Sequence, residues 1–245
     1  DTPFRIICFG QDQQGELYIV DFMNGTIHQL VPSTKVEPSL PFPKKLSQTG
    51  LFASTKEHQP ASGLIPYSVN AELWSDNAHK ERFLALPGRG QIDYDGIEYP
   101  QPSPGAPRGW RFPDGTVVVK TFSMDMEQGN PASRKRLETR ILHFEQLAGT
   151  EEVGDQIWRG YTYIGNDDQT DAELCEKSGR DVKLSIKDDR APGGKREQNW
   201  HFPSRSECTL CHTMPAKYVL GVNTLQMNKD HDYGHGRVAN QLATL

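Results

Sequence analysis

The chain has 245 residues, a net charge of −5 and 35% hydrophobic residues, enough for a real core in one large β domain or two smaller units. Charges of both signs are interspersed, which excludes the basic face that nucleic-acid binding needs. No apolar run approaches the ~20 residues of a membrane span, and 17 Pro with 22 Gly point to many short elements joined by turns.

Residues 4–9, 16–20 and 26–31 are short apolar runs separated by Gln-Gly and Asn-Gly turns, the pattern of a β-meander. Three strands are too few for a closed domain, so 1–31 reads as the last piece of something larger or an edge addition. Residues 32–66 are proline-rich and aperiodic, which predicts a linker or an extended wrapping segment; Pro41-Phe42-Pro43 cannot sit inside a helix or a central strand. From 67 to 200 the strand pattern returns. A Pro113-Asp114-Gly115 turn precedes the β-branched run Thr116–Val119, and residues 137–145, 157–164 and 182–186 follow in the same style. Strands at such intervals with few helical windows predict a mainly β body, an antiparallel β-sandwich or jelly-roll-like domain. Residues 201–245 change character. Ser204 followed by Glu207 is a capping-box pattern, and the Leu/Val/Met spacing beyond His212 suits short helices, so a small, mostly helical segment closes the chain.

That segment carries Cys208-Thr209-Leu210-Cys211-His212. C-x-x-C-H is the attachment signature of c-type haem. Two thiols three residues apart can each add to a haem vinyl group, and the adjacent imidazole reaches the iron as proximal ligand. A zinc ribbon would need a second Cys/His pair at matching spacing, whereas Cys8 and Cys175 are isolated. A thioredoxin-like pair expects a strand–helix context and has no use for the His. The expectation is one covalent haem c on Cys208 and Cys211 with His212 on the metal. For the sixth ligand Met214 is too close behind His212, and Met227 lies far enough on to reach the opposite face after a helix and a turn. His231, His201 or an open position remain as alternatives. Trp200 and Tyr218 would wall the haem, and Arg205 and Lys217 would pair with its propionates; packing and plain surface charge account for the same residues. Asn166–Asp171 offers oxygen ligands for Ca²⁺ but lacks EF-hand spacing and reads as a polar turn. Cys8 and Cys175 are either a disulfide or two separate thiols. No Ser–His–Asp arrangement or H-E-x-x-H motif is present. No signal peptide opens the sequence; because haem c is attached outside the cytoplasm, an export signal is expected upstream and the domain is expected to be periplasmic or otherwise extracytoplasmic.

Two stretches carry a family resemblance. Gly10 to Leu30, GQDQQGELYIVDFMNGTIHQL, resembles the closing strands of the six-bladed propeller of quinoprotein glucose/sorbosone dehydrogenases. The pyrroloquinoline quinone site of that family is built from earlier blades, so PQQ is expected only in an upstream domain. A longer series, KLSQTGLF from Lys45, PYSVNAELWSD from Pro66, Trp110–Phe122, GYTYIGNDDQTD from Gly160 and WHFPSRSECTLCH from Trp200, resembles bacterial exported monohaem c-type proteins. In these a β-rich domain precedes a single haem-binding segment, often behind such a propeller. A covalent haem makes electron transfer the expected task, and the resemblance implies a quinoprotein dehydrogenase unit as the neighbouring domain and donor, with a further redox acceptor after it. A haem enzyme or ligand sensor with an open axial site, and a carbohydrate-binding or scaffolding β domain with auxiliary haem, are the competing classes. The domain boundaries expected are a meander at 1–31, a linker or wrapping segment at 32–66, a β-rich domain at 67–200 and a haem segment at 201–245.

Overall fold

The computed structural model describes residues 4–32, 42–93, 110–146, 157–175, 178–213 and 216–245. The first three strands, β1 (Ile6–Gln11), β2 (Leu17–Asp21) and β3 (Thr26–Gln29), form the three-stranded antiparallel meander. It belongs to one compact unit, and the elements from Pro43 onward belong to a second. In the meander, buried Asp21 accepts the amides of Arg5 and Met23 and the side-chain amide of Asn24, fixing the turn after β2.

The second unit is built on six antiparallel strands. Residues 43–66 fold back on it: β4 (Phe52–Ser54) and β5 (Gln59–Pro60) form a small hairpin, and β6 (Leu64–Pro66) joins the main sheet. The sheet continues with β7 (His79–Ala85), β8 (Val117–Asp125), β9 (Arg134–Glu145), β10 (Ile157–Gly165) and β11 (Ala172–Leu174). Each strand lies beside its neighbour in sequence, so the body is an antiparallel meander, and no jelly-roll crossover occurs among the described strands. The Pro113–Gly115 turn starts β8: Gly115 takes φ 84°, open to glycine, and the Thr116 amide closes on the Pro113 carbonyl. The period-2 alternation then splits the sheet into two faces.

In-register partners share a face. One face carries Phe83, Val119, Ile141, Tyr161 and Tyr163 and is covered by Leu46 and Phe52 of the 43–66 segment. The opposite face is divided. At one end Leu84, Val118, Leu142, Phe144 and Trp158 pack against Val219, Val222 and Met227 from the chain's last quarter. At the other end Phe122 meets the hairpin β12 (Arg180–Lys187) and β13 (Lys195–Phe202), through Ile186, Trp200 and Phe202.

The last segment starts with helix α1 (Arg205–Cys211) and continues with α2 (Thr224–Met227), β14 (Asp230–Asp232) and β15 (Val238–Asn240). It was expected to be mostly helical, and it is not. Its helices are one or two turns long: α1 stops at His212 and α2 at Asn228, both with non-helical backbone, and Gly221, Gly234 and Gly236 take positive φ in the turns that follow. Gln241, fully buried, ties this segment to the sheet: it donates to the Ser68 and Met227 carbonyls and accepts the Ser68 amide.

Candidate functional site around the Cys208–His212 turn

Helix α1 begins with the capping box foreseen in the sequence. Ser204 Oγ accepts the Glu207 amide at 3.3 Å, and the Glu207 carboxylate accepts the Ser204 amide at 2.7 Å. Glu207 also meets His201 Nε2 at 3.1 Å, while His201 Nδ1 meets Asp181 at 2.7 Å. Hydrogen bonding to Asp181 and Glu207 raises the His201 pKa. Both of its ring nitrogens are engaged, which takes His201 out of the running as an iron ligand in this arrangement.

The helix lies against β10, where Gly160 makes the approach possible. A Cβ at Gly160 would sit 2.4 Å from Cys208 Cβ and 2.6 Å from its Sγ. Cys208 is therefore half-buried on the sheet, and burial pushes its thiol pKa up. Cys211, one turn on, is exposed, and both sulfurs are free thiols. At (i, i+3) they share one side of the helix. The helix stops at His212, whose amide still reaches the Cys208 carbonyl.

The His212 imidazole is held by its Nδ1, 2.5 Å from the carbonyl oxygen of Tyr218. Burial pushes the His212 pKa down, against the pull of that carbonyl, so the ring is neutral at pH 7. With Nδ1–H donated to the carbonyl, Nε2 is the free, unprotonated nitrogen, the form that ligates a metal. The loop that supplies the carbonyl is strained: Lys217 and Tyr218 both take positive φ, at 57° and 58°. Non-glycine residues in that region cost roughly 1–3 kcal/mol each and mark sites where the geometry itself is needed. The Tyr218 amide is fastened to the Thr213 carbonyl and its side chain packs on the apolar end of the sheet.

The other expected residues are dispersed. Met227 is fully buried in that same apolar cluster, at the end of α2. Trp200 belongs to the cluster at the other end, where its indole N–H donates to buried Glu138. Arg205 stacks on the ring of Tyr161 at 4.7 Å. His231 Nδ1 sits 3.0 Å from Ser68 Oγ. Met214 lies outside the described residues. In the Asn166–Asp171 turn, the Asn166 side chain accepts the Thr170 and Asp171 amides and the Asp171 carboxylate accepts Ser47. Among the described residues no three His, Cys, Asp or Glu side chains gather as a metal cluster. Cys8 is exposed and Cys175 buried, and both are free thiols.

Sequence reasoning missed a row of cations. Register places Arg82, Lys120, Arg140 and Thr162 side by side across β7, β8, β9 and β10, on the divided face and next to the row that ends in Gly160. Arg140 grips Glu138 through two bonds of 3.0 and 2.6 Å, and Arg82 reaches Glu72 at 3.4 Å. The signal was present, a Lys or Arg amid the apolar run of each of three strands, but only the register shows that the three coincide. Comparison of the chain with family models, with curated proteins and with solved structures gives no match.

Proposed function

We propose that this chain is a monohaem c-type cytochrome domain whose task is electron transfer. The observation that carries the reading is the pairing of the C-x-x-C-H motif with an imidazole already fixed by Nδ1 on a backbone carbonyl. The donors fit the cofactor on three counts. Two free thiols stand a helical turn apart, a neutral His follows them, and Gly160 leaves room for Cys208 where any side chain would fill the space. Exposed Leu73, Trp74 and Leu225 supply uncovered apolar surface; the segments bearing them are joined by the Asn70 side chain, which donates to the Leu225 carbonyl.

Cys208 and Cys211 would anchor the haem by thioether bonds, and His212 Nε2 would ligate its iron. Met227 is proposed as the sixth ligand; Tyr218 links the two sides, giving its carbonyl to His212 and its ring to the cluster that holds Met227. A bound haem supplies a reversible one-electron couple, and the protein sets its potential, orientation and access. Burial keeps His212 neutral, the Tyr218 carbonyl raises its basicity as a ligand, and the capped helix fixes both sulfurs. The donor proposed is a quinoprotein dehydrogenase unit upstream, where PQQ would reside, with a further redox protein as acceptor in an extracytoplasmic compartment. The family resemblance supports that part. No helix among the described residues is long and apolar enough to cross a membrane.

The test is covalent attachment. Expressed with haem-maturation machinery, the chain should gain one haem mass that survives denaturation, and Cys208→Ser/Cys211→Ser should lose it. Haem that withstands denaturation in the double variant, or a wild type that never acquires it, would refute the assignment. The oxidised spectrum then separates Met227 ligation, with a sulfur-to-iron band abolished in Met227→Ala, from a high-spin open site.

A further inference from the structure

We infer that Arg82, Lys120 and Arg140, the cationic row on the sheet face under the Cys208–His212 segment, form the seat for the two propionate groups of the haem; the inference rests on the cytochrome reading above. Three observations place an anion there.

The first is composition of charge. Cations directly opposite one another on neighbouring strands repel, yet Arg82 pairs in register with Lys120, and Lys120 with Arg140. Lys80, the next charged side chain on that face of β7, adds a fourth positive group. Against these four stand two carboxylates among the described residues, Glu72 and Glu138. Two positive charges remain in excess when both acids are ionised, the number two propionates neutralise. Burial raises the Glu138 pKa, which can only enlarge that excess.

The second is the state of the central residue. Lys120 has no carboxylate within ion-pair distance among the described residues; its ammonium lies 5.7 Å from the centre of the Phe122 ring. Burial, then the charges of Arg82, Arg140 and Lys80, push its pKa down to about 8. A half-buried ammonium with no carboxylate partner, between two guanidinium groups, is costly unless something anionic joins it. The row's fourth member behaves alike: Thr162 is 1% exposed and its Oγ1 has no hydrogen-bond partner among the described residues.

The third is position. On this face the row Arg82–Lys120–Arg140–Thr162 is flanked directly by the row Leu84–Val118–Leu142–Gly160, and Gly160 is where Cys208 rests, its Cβ 2.4 Å from where a Gly160 Cβ would sit. The row and the attachment motif therefore share one neighbourhood. Arg82 and Arg140 lie two strand spacings apart, about 10 Å at the backbone, and Arg140 presents the planar fork that binds carboxylate through paired hydrogen bonds. Arg205, placed with the propionates from sequence, is instead stacked on Tyr161.

The experiment uses the haem-loaded protein. Cations beside the propionates favour the ferrous over the more positive ferric state and hold the propionates ionised to lower pH. Lys120→Gln should lower the reduction potential at pH 7 by an amount equivalent to roughly a tenfold shift of the ferrous/ferric equilibrium, ~59 mV for one electron. It should also move the pH-dependent part of the potential upward. The charged groups facing this row, which must be held in view when the profile is read, are Glu72, Lys80, Arg82, Glu138, Arg140 and His212. Lys120→Arg should restore both readings, and Lys183→Gln, an exposed control on β12, should change neither. Lys120 suits the test because its removal leaves no carboxylate without its partner among the described residues. Loaded Lys120→Gln with the wild-type potential and pH profile would overturn the inference and leave the cytochrome reading intact. A wild type that takes up no haem would overturn both.

Discussion

The two faces of the six-stranded sheet solve different problems with the same strands. One face runs Phe83, Val119, Ile141, Tyr161 without interruption and is capped by Leu46 and Phe52. The other face, read off the alternate residues, has apolar packing at both ends and a band of Arg82, Lys120 and Arg140 between them. The first face does what burial does best: it removes apolar area from water at about 25 cal/mol per Å². The second face holds more positive charge than the described carboxylates match, with Lys120 unpaired between Arg82 and Arg140, in the strip next to Cys208. Departures from packing logic of this kind are expected at functional sites, where local stability is given up for something else.

The contrast can be broken first on the apolar face. Phe83 is buried, meets Phe52 edge-on at 6.0 Å, and has no polar role. Phe83→Ala should cost about 3–5 kcal/mol of unfolding free energy, measured by denaturant titration, and should leave haem attachment intact in the molecules that fold. A loss below about 1 kcal/mol would mean that this face is not the core it is taken to be.

On the divided face the sign should reverse. In the haem-free chain, Lys120→Met keeps the apolar stem and removes the unpaired ammonium, so it should stabilise the fold by roughly 1 kcal/mol at pH 7. The pH dependence follows from a lysine pKa lowered to about 8 in the folded state against ~10.4 unfolded. Between these values the unfolded chain binds more protons, so wild-type stability rises with pH across that window. The advantage of Lys120→Met should accordingly shrink between pH 8 and 10. Destabilisation by this substitution at pH 7 would show that Lys120 is structural.

How much of this could be read from the sequence differs between the same two regions. The strands of the apolar face announce themselves, because β-branched and aromatic residues cluster at Val117–Thr121 and Tyr161–Tyr163 and dictate the element, while the register assigns the face. The attachment motif and the Ser204–Glu207 cap are local, fixed by residues within one or two helical turns. The cationic row is not local. Arg82, Lys120 and Arg140 become neighbours only through a register that spans β7 to β9, and each alone looks like an ordinary strand residue with its stem on the sheet. Gly160 is the same kind of case: its meaning lies in Cys208, 48 positions later, and no pattern around β10 reveals it. The C-terminal segment differs from its expectation for another reason: helical spacing counts apolar positions, and it does not register that the backbone leaves the helix at His212 and again at Asn228.

The smallest effect expected concerns how α1 is held to the β12–β13 hairpin. His201 bridges Asp181 and Glu207, and its pKa is raised by those two carboxylates. A raised histidine pKa stabilises the fold fully below the unfolded value of ~6.5, and that contribution is lost as pH climbs through the folded value. The His201 side chain is half exposed, so solvent screens the pair and the effect is small. Glu207 keeps its second anchor, the Ser204 amide, at every pH in this window, so the helix should loosen at its start without leaving the sheet. Amide hydrogen exchange at Glu207 and Cys208 reads this directly. In the wild type, protection there should fall between pH 6 and 8 by more than the intrinsic exchange rate accounts for, and in His201→Gln that excess should vanish. Equal excess in both chains would locate the pH sensitivity elsewhere in the segment.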